Sequence, residues 1–172
     1  RMAQCEAAGV AFNFNTYAEA VDVLACNPDV VVIATGGLPN SDILDSGADL
    51  AVSGWDILSG DVKPGERVIV YDDNAAHAGM AVAEFLATSG SDVEIVTPGV
   101  FFAADIGGLN HAAYAEVFAE HDVRNTINAR VKSVARDGNQ LRAVIGSDYA
   151  TRTQSRTVDQ VVIDHGTLPL DE

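Results

Sequence analysis

The stretch that decides the fold is RVIVYDDNAAHAGMAVAEFLATSGSDVEIVTP, residues 67–98. It opens on an unbroken apolar run, Val68 to Tyr71, too short for a helix and rich in β-branched residues, which predicts a buried strand. After a polar turn, Ala78, Val82, Phe85, Leu86 and Ser89 recur at helical spacing, and Gly90 follows where a left-handed C-terminal cap is wanted. A second strand is predicted from Val93 to Val96. Strand, helix and strand within about thirty residues make a right-handed βαβ unit, because parallel neighbours need a crossover of that length. The C-terminal edge of such a unit is where open α/β sheets seat dinucleotides.

The loop between the first strand and the helix sets what that edge can hold. A dinucleotide fingerprint reads G-x-G-x-x-G there, so that bare backbone approaches a pyrophosphate resting on the helix N-terminus. Here the run Asp72-Asp73-Asn74-Ala75-Ala76-His77-Ala78-Gly79 puts Asn74, Ala76 and Gly79 in the three glycine places. Gly79 keeps the glycine that lets helix and strand pack closely, and Asn74 suits a tight turn because Asn tolerates positive φ. The Ala76 methyl stands where phosphate would approach, and Asp72 and Asp73 would repel it. The acidic residue that takes ribose hydroxyls at the end of the second strand is missing, since Glu94 lies inside the strand and Thr97 ends it. The residues support the fold more strongly than they support a bound cofactor.

A chain of 172 residues can bury one core or build two small lobes. Its formal charge of -15 and pI near 4.3 argue against nucleic acid and anionic membrane surfaces as partners. The acids divide into 17 Asp and 8 Glu, while Lys appears only at Lys63 and Lys132. Two readings stay open: an acidic cytoplasmic protein, or one adapted to high salt, which screens the repulsion between its carboxylates. The longest apolar run, Val30 to Ala34, is far too short to span a membrane, and no leader-like segment stands out. Cys5 and Cys26 lack C-x-x-C spacing and read as free, buried thiols in a reducing compartment.

Taken in order, Arg1 to Ala8 reads as a helix stopped by Gly9, and Val10 to Asn15 as a strand. Thr16 and Glu19 resemble a capping box for a helix carrying Tyr17, Ala20, Val21 and Leu24. Asp29 to Ala34 reads as a buried strand, and Thr35-Gly36-Gly37 puts bare backbone at its end, as a plain turn or a ligand contact. Ser41 to Gly60 reads as a surface connection, and Phe101-Phe102 as anchors of an irregular loop. Asn110 to His121 is a predicted helix with Ala113, Val117 and Phe118 on its apolar stripe. Strands are predicted at Val123–Ile127 and Ala129–Arg136, with a hairpin turn at Asp137-Gly138-Asn139 and a return over Leu141–Ile145, together a three-stranded meander. Gly146 to Thr157 reads as irregular, and Val158 to Asp164 as a closing buried strand.

Three segments occur in one characteristic order: VVIATGGLP at 31–39, VIVYDDNAAHAGMAVAEFLATSGSDVEIVTPG at 68–99, and VDQVVIDHGTLPLDE at 158–172. In them the chain resembles the C-terminal cofactor region of the NADH:flavin oxidoreductases related to 2,4-dienoyl-CoA reductase, trimethylamine dehydrogenase and N-methylproline demethylase. The Y-D-D loop and the following A-E-F-L-A helix look closer to the amine-dehydrogenating and demethylating branch. The resemblance implies an α/β, Rossmann-like parallel sheet with an inserted antiparallel meander, of FAD/NAD(P)-binding type and truncated at its N-terminal side. Residues 1–60 and 157–172 then correspond to the remainder of a split FAD-type lobe, and 61–156 to a second, NAD/ADP-type lobe inserted in it.

Whole members of that family also carry an FMN-bearing (β/α)8 barrel and a 4Fe-4S cluster. The barrel and the first glycine-rich βαβ unit fall outside this chain, and two isolated cysteines cannot supply a cluster's four thiolates. Within the chain the resemblance implies FAD or ADP as the ligand, with NAD(P)H as the further candidate. Position by position, Thr35, Gly36 and Gly37 match the first-lobe strand-end motif. Asn74, Ala76, His77 and Gly79 match the second-lobe nucleotide loop, and Thr97 stands at its strand end. His77 reads either as a phosphate contact or as a solvated first-turn residue, His165 as a cofactor neighbour or a surface group, and His111 and His121 as polar-face residues.

No catalytic residue and no metal ligand is assigned, and the segment alone is not expected to turn over. One reading is a nucleotide-cofactor segment of a flavin-dependent oxidoreductase, whose amine oxidation, demethylation or enoyl reduction takes place on the absent barrel. The other is a ligand-free domain that docks the barrel or an electron-transfer flavoprotein. Apolar surface bared by the missing unit is expected to promote self-association.

Overall fold

The structure is a computed structural model that describes residues 1–170. Positions 171 and 172, the end of the stretch expected to complete the split lobe, lie outside the described residues. The chain divides into two compact units, one from Arg1 to Thr35 and one from Gly36 onward.

The first unit holds two six-residue helices, α1 (Met2–Ala7) and α2 (Ala20–Ala25), and buries none of its residues. The cap of α2 lies further along than Thr16. Glu19 is the N-cap, its N–H donating to Asp22 at 3.0 Å, while the Thr16 hydroxyl donates to the Phe14 carbonyl. The two strands expected here, Val10–Asn15 and Asp29–Ala34, do not form. A strand is defined by its ladder, and among the described residues neither run has a pairing partner. Val30 to Ile33 are therefore left between 49% and 83% exposed. Both thiols are free, but Cys5 is only half-buried and Cys26 is exposed, so the expectation of burial fails with the core that would have covered them.

In the second unit the elements run β1 (Gly37–Pro39), β2 (Val52–Ser53), α3 (Gly54–Ser59), β3 (Arg67–Asp72), α4 (His77–Thr88) and β4 (Asp92–Val96). Then follow α5 (Gly108–Glu120), β5 (Arg124–Thr126), β6 (Arg130–Asp137), β7 (Gln140–Ser147), β8 (Ala150–Val158), β9 (Gln160–Asp164) and β10 (Thr167–Pro169). Strands β2, β9, β3, β4 and β5 stand in that order in one parallel sheet; β6, β7 and β8 form an antiparallel sheet; β1 pairs with β10.

Alternation along the parallel strands builds two cores. Val68, Val70, Val93, Ile95 and Val162 pack against Ile57 of α3, Met80 and Leu86 of α4 and Phe118 of α5. Ile69, Tyr71, Val96, Val161 and Ile163 point the other way, against Val131, Val134, Leu141, Ala143 and Ile145 of the antiparallel sheet. Covering both faces explains why the β3 sequence is an unbroken apolar run. Each fully buried aliphatic side chain in these layers contributes about 1.5–3 kcal/mol.

The central βαβ unit forms as read, with Arg67 to Tyr71 in register with Asp92 to Val96 and Gly90 at φ +95 just beyond α4. Elsewhere the assignments shift. Ser41–Gly60 is more than a connection: it contains β2 and α3, the latter started by Ser53 and Asp56, which exchange backbone bonds of 3.2 and 3.0 Å. Strand β5 joins the parallel sheet through β4 and is no part of the meander, whose third strand is β8. That strand was missed because Thr151 to Arg156 are polar and mostly exposed, leaving no apolar alternation to read. Strand β9, from the stretch matched to the split lobe, lies between β2 and β3 in the same parallel sheet.

Two further contacts tie the layers. Glu94, on the meander side of β4 and only 4% exposed, accepts bonds from Thr126, Arg124 and Arg156. Burial pushes its carboxyl up, but the Thr126 and Arg156 bonds outweigh this and hold it below the ordinary glutamate range. Gly47, at φ +79, lets the 41–50 segment lie on β6, since a Cβ there would stand 1.8 Å from the Val134 carbonyl oxygen.

Gly47→Ala is therefore expected to cost more than about 2 kcal/mol in urea denaturation, while Gly108→Ala, with open space around it at the start of α5, stays within about 0.5 kcal/mol. Equal effects would refute the close approach. Glu94→Ala should cost about 2–3 kcal/mol at pH 7, where two arginines lose their partner. Because the folded carboxyl titrates lower than the unfolded one, the wild-type advantage is full above the ordinary value of 4.5 and shrinks as pH falls through the lower folded value. A difference independent of pH between 3 and 7 would contradict the buried ion pair.

Candidate functional site

The C-terminal ends of β3 and β9 meet the N-terminus of α4, where the βαβ reading places a nucleotide loop. Residues 68, 70 and 72 of β3, like 162 and 164 of β9, face the helix layer, so both strands end on an aspartate beneath α4. Asp72 and Asp164 are register partners, and both are buried.

Asp72 folds the loop onto itself. Its Oδ1 accepts the N–H groups of Asn74 at 3.2 Å and Ala75 at 2.9 Å. The left-handed residue of this turn is Ala75, at φ +56, and not Asn74 as expected; the aspartate bonds hold the strained residue in place. The Asn74 side chain is used instead as a bond donor to Asp164. The Asp164 carboxylate also accepts the N–H groups of Gly79, in the first turn of α4, and of Gly166. The helix N-terminus that would receive a phosphate is thus served by a carboxylate of the chain itself.

Gly79 is required by this arrangement, because a Cβ on it would lie 2.9 Å from both Cγ and Oδ1 of Asp72. Ala76 is the N-cap, extended and without a side-chain bond of its own to offer the helix. His77 is exposed and lies 3.3 Å from the Tyr114 hydroxyl of α5. Thr97 is buried, its Oγ1 accepting the Gly99 N–H at 3.2 Å.

A second charge layer surrounds the loop. Asp73 accepts from Arg130 of β6 at 3.0 Å and pairs with His165 at 2.8 Å, and Arg130 also bonds Asp148 at 2.7 Å. Burial pushes the Asp72 carboxyl up to about 6, with Asp164 adding to the rise and the Ala75 and Asn74 amides opposing it. Burial raises Asp164 as well, against the pull of the Gly79 and Gly166 amides. Among the described residues no cluster of three or more His, Cys, Asp or Glu is placed to hold a metal ion.

The first-lobe positions lie elsewhere. Thr35 and Gly36 are exposed. Gly37 pairs with Pro169, and a Cβ on it would meet the Leu168 carbonyl oxygen at 2.5 Å, so the pairing of β1 with β10 requires glycine there. Gly36, at φ +76 with nothing near its Cβ position, lines a cavity of about 390 Å³ with Gly37, Trp55, Thr167 and Pro169. Asn74, Ala76, His77 and Gly79 stand together on the loop and the first turn of α4. Asp164 and Arg130 went unassigned in the sequence, and His165 stayed open between cofactor neighbour and surface group, because they lie far from the loop along the chain; the one further signal was the echo of IATGG in IDHGT. His111 is not a polar-face residue: it stacks on Phe102 at 4.5 Å.

No family model matches the chain. Among curated proteins it is 51% identical, over all its 172 residues, to a Rhizobium meliloti (strain 1021) protein described as a probable N-methylproline demethylase, of which it spans 25%. It is 37% identical over 167 residues, 93% of the chain, to an N,N-dimethylglycine/sarcosine dehydrogenase of Chromohalobacter salexigens, spanning 24% of that protein. Among solved structures, a 2-naphthoyl-CoA reductase superposes on 96% of the chain with TM-score 0.76 and 27% identity, the match covering 24% of that enzyme. The chain thus spans about a quarter of the length of these relatives. It belongs to the NADH:flavin oxidoreductase family that includes the demethylases, amine dehydrogenases and acyl-CoA reductases, and corresponds to their C-terminal region.

Proposed function

We propose that the chain is the C-terminal segment of a flavin-dependent oxidoreductase that demethylates an N-methylated amino acid, with its second lobe closed to NAD(P)H. The observation that carries this reading is the loop before α4. Its Asn74 and Ala75 amides bond Asp72, and its Gly79 amide bonds Asp164, so a pyrophosphate would have to displace two buried carboxylates. NAD(P)H does not fit such a loop. Electrons then enter the parent from an amine substrate, in keeping with the 51% identity to a protein described as an N-methylproline demethylase.

In this reading FMN and a 4Fe-4S cluster reside in the remainder of the parent, and electrons leave to a partner such as an electron-transfer flavoprotein. FAD or ADP falls to the first lobe, where the bare backbone of Gly36 and the cavity beside Trp55 offer close approach. The second lobe then works as a scaffold against the parent's other domains, its sheet including β9, and His77 bonds Tyr114 rather than a phosphate. A reducing, cytoplasmic location accords with two free thiols.

Calorimetric titration of the chain with NADH and NADPH should give no binding tighter than about 1 mM, an affinity of roughly 4 kcal/mol. In the full-length parent, N-methylproline should bleach the flavin and NADH should not. Micromolar binding of NADH by the chain, or bleaching by NADH alone, would overturn the proposal.

A further inference from the structure

Beneath the loop, Asp72 and Asp164 end adjacent parallel strands in register, on the face covered by α4. Asp72 is 0% exposed and Asp164 8%. One oxygen of Asp72 is used on the amides of Asn74 and Ala75, and the Asp164 carboxylate serves Gly79, Gly166 and Asn74. The Oδ2 atom of each is buried and has no hydrogen-bond partner. Both carboxylates lie against one residue, Gly79, whose amide bonds Asp164 and whose Cβ position is 2.9 Å from the Asp72 carboxyl carbon.

Two buried carboxylate oxygens without donors cost more than hydrogen bonding recovers unless a proton joins them. Of the side chains around the pair, only His165 acts on it from outside the loop, as the last of the causes that pull Asp164 down. Asp73, next in the chain, is itself acidic, and the Arg130 and His165 side chains that face it are bonded to its own carboxylate. His77, in the first turn of α4, lies against Tyr114. What remains to stabilise negative charge is the α4 N-terminus, which offers about half a unit of positive charge, enough for one carboxylate and not for two.

We propose that Asp72 and Asp164 together hold a single proton through their unpartnered Oδ2 atoms, and that this shared proton locks the 72–79 loop shut. With the proton in place the pair carries one negative charge on the helix N-terminus, and each carboxyl keeps its amide bonds. When the proton leaves, two like charges face each other in a dry site, and the loop loosens. Loop closure is thereby coupled to pH near neutrality, whichever nucleotide the parent takes, and the lock needs no residue outside the second unit.

The test compares the pH dependence of unfolding of the chain with that of Asp72→Asn, which keeps an acceptor for the two amides and presents an N–H to Asp164. A folded carboxyl raised to about 6, against an ordinary 3.8, binds more protons than its unfolded counterpart across that interval. Wild-type stability therefore falls relative to the variant as pH rises from about 4 to about 6, and the difference is constant above. The variant should be the more stable chain at pH 7.5. Carboxyl carbon resonances of the wild-type chain give a second readout that needs no variant: the Asp72 carboxyl carbon should show a step near 6, and the Asp164 carboxyl carbon should respond to that same step. Two independent titrations below pH 4, or a wild-type minus variant difference flat from pH 4 to 7, would overturn the shared proton.

Discussion

Strand β3 is buried on both faces, and the rest of the second unit depends on that. Its even-numbered residues hold the helix layer and its odd-numbered residues the antiparallel sheet, so five parallel strands become the middle of three layers. Once the strand is covered on both sides, its end must deliver Asp72 into the base of α4. Close approach of helix and strand demands glycine at position 79, and the same closeness removes water from Asp72 and Asp164. The chemistry of the loop thus follows from the packing of the core.

The fold supplies a helix N-terminus at the edge of a parallel sheet, a ready seat for an anion. What occupies that seat is a local decision. Here two aspartates take amides that glycines would leave open to a phosphate, while Arg130 pairs with the neighbouring Asp73 and His165 lies against it. A dinucleotide fold can persist as architecture when its loop amides are bonded internally, so membership of a flavin oxidoreductase family is compatible with the proposed closure of the second lobe.

The central unit was legible because strand, helix and strand each carry a clean period and Gly90 marks the helix end. The hairpin at Asp137-Gly138-Asn139 was legible for the same kind of reason, a turn with a mechanism, and Gly138 takes φ +62. Elements whose order comes from partners were not. The apolar run Asp29–Ala34 reads as a strand, yet a strand without a neighbour is only an extended segment. The reverse holds for β8, polar along most of its length and held by its ladder to β7. At the site, the three fingerprint positions and the repulsive aspartates could be read, but Asp164 could not, since its place under α4 follows from sheet order rather than from spacing.

Amide hydrogen exchange at Asn74, Ala75, Gly79 and Gly166, measured by NMR with and without millimolar NADH, reads whether the amides around Asp72 and Asp164 are held by the chain's own carboxylates. Exchange should be slow at all four in the free chain and should not change on adding NADH. Fast exchange in the free chain, with protection appearing only when NADH is present, would contradict the internal bonding and restore the loop as a dinucleotide site.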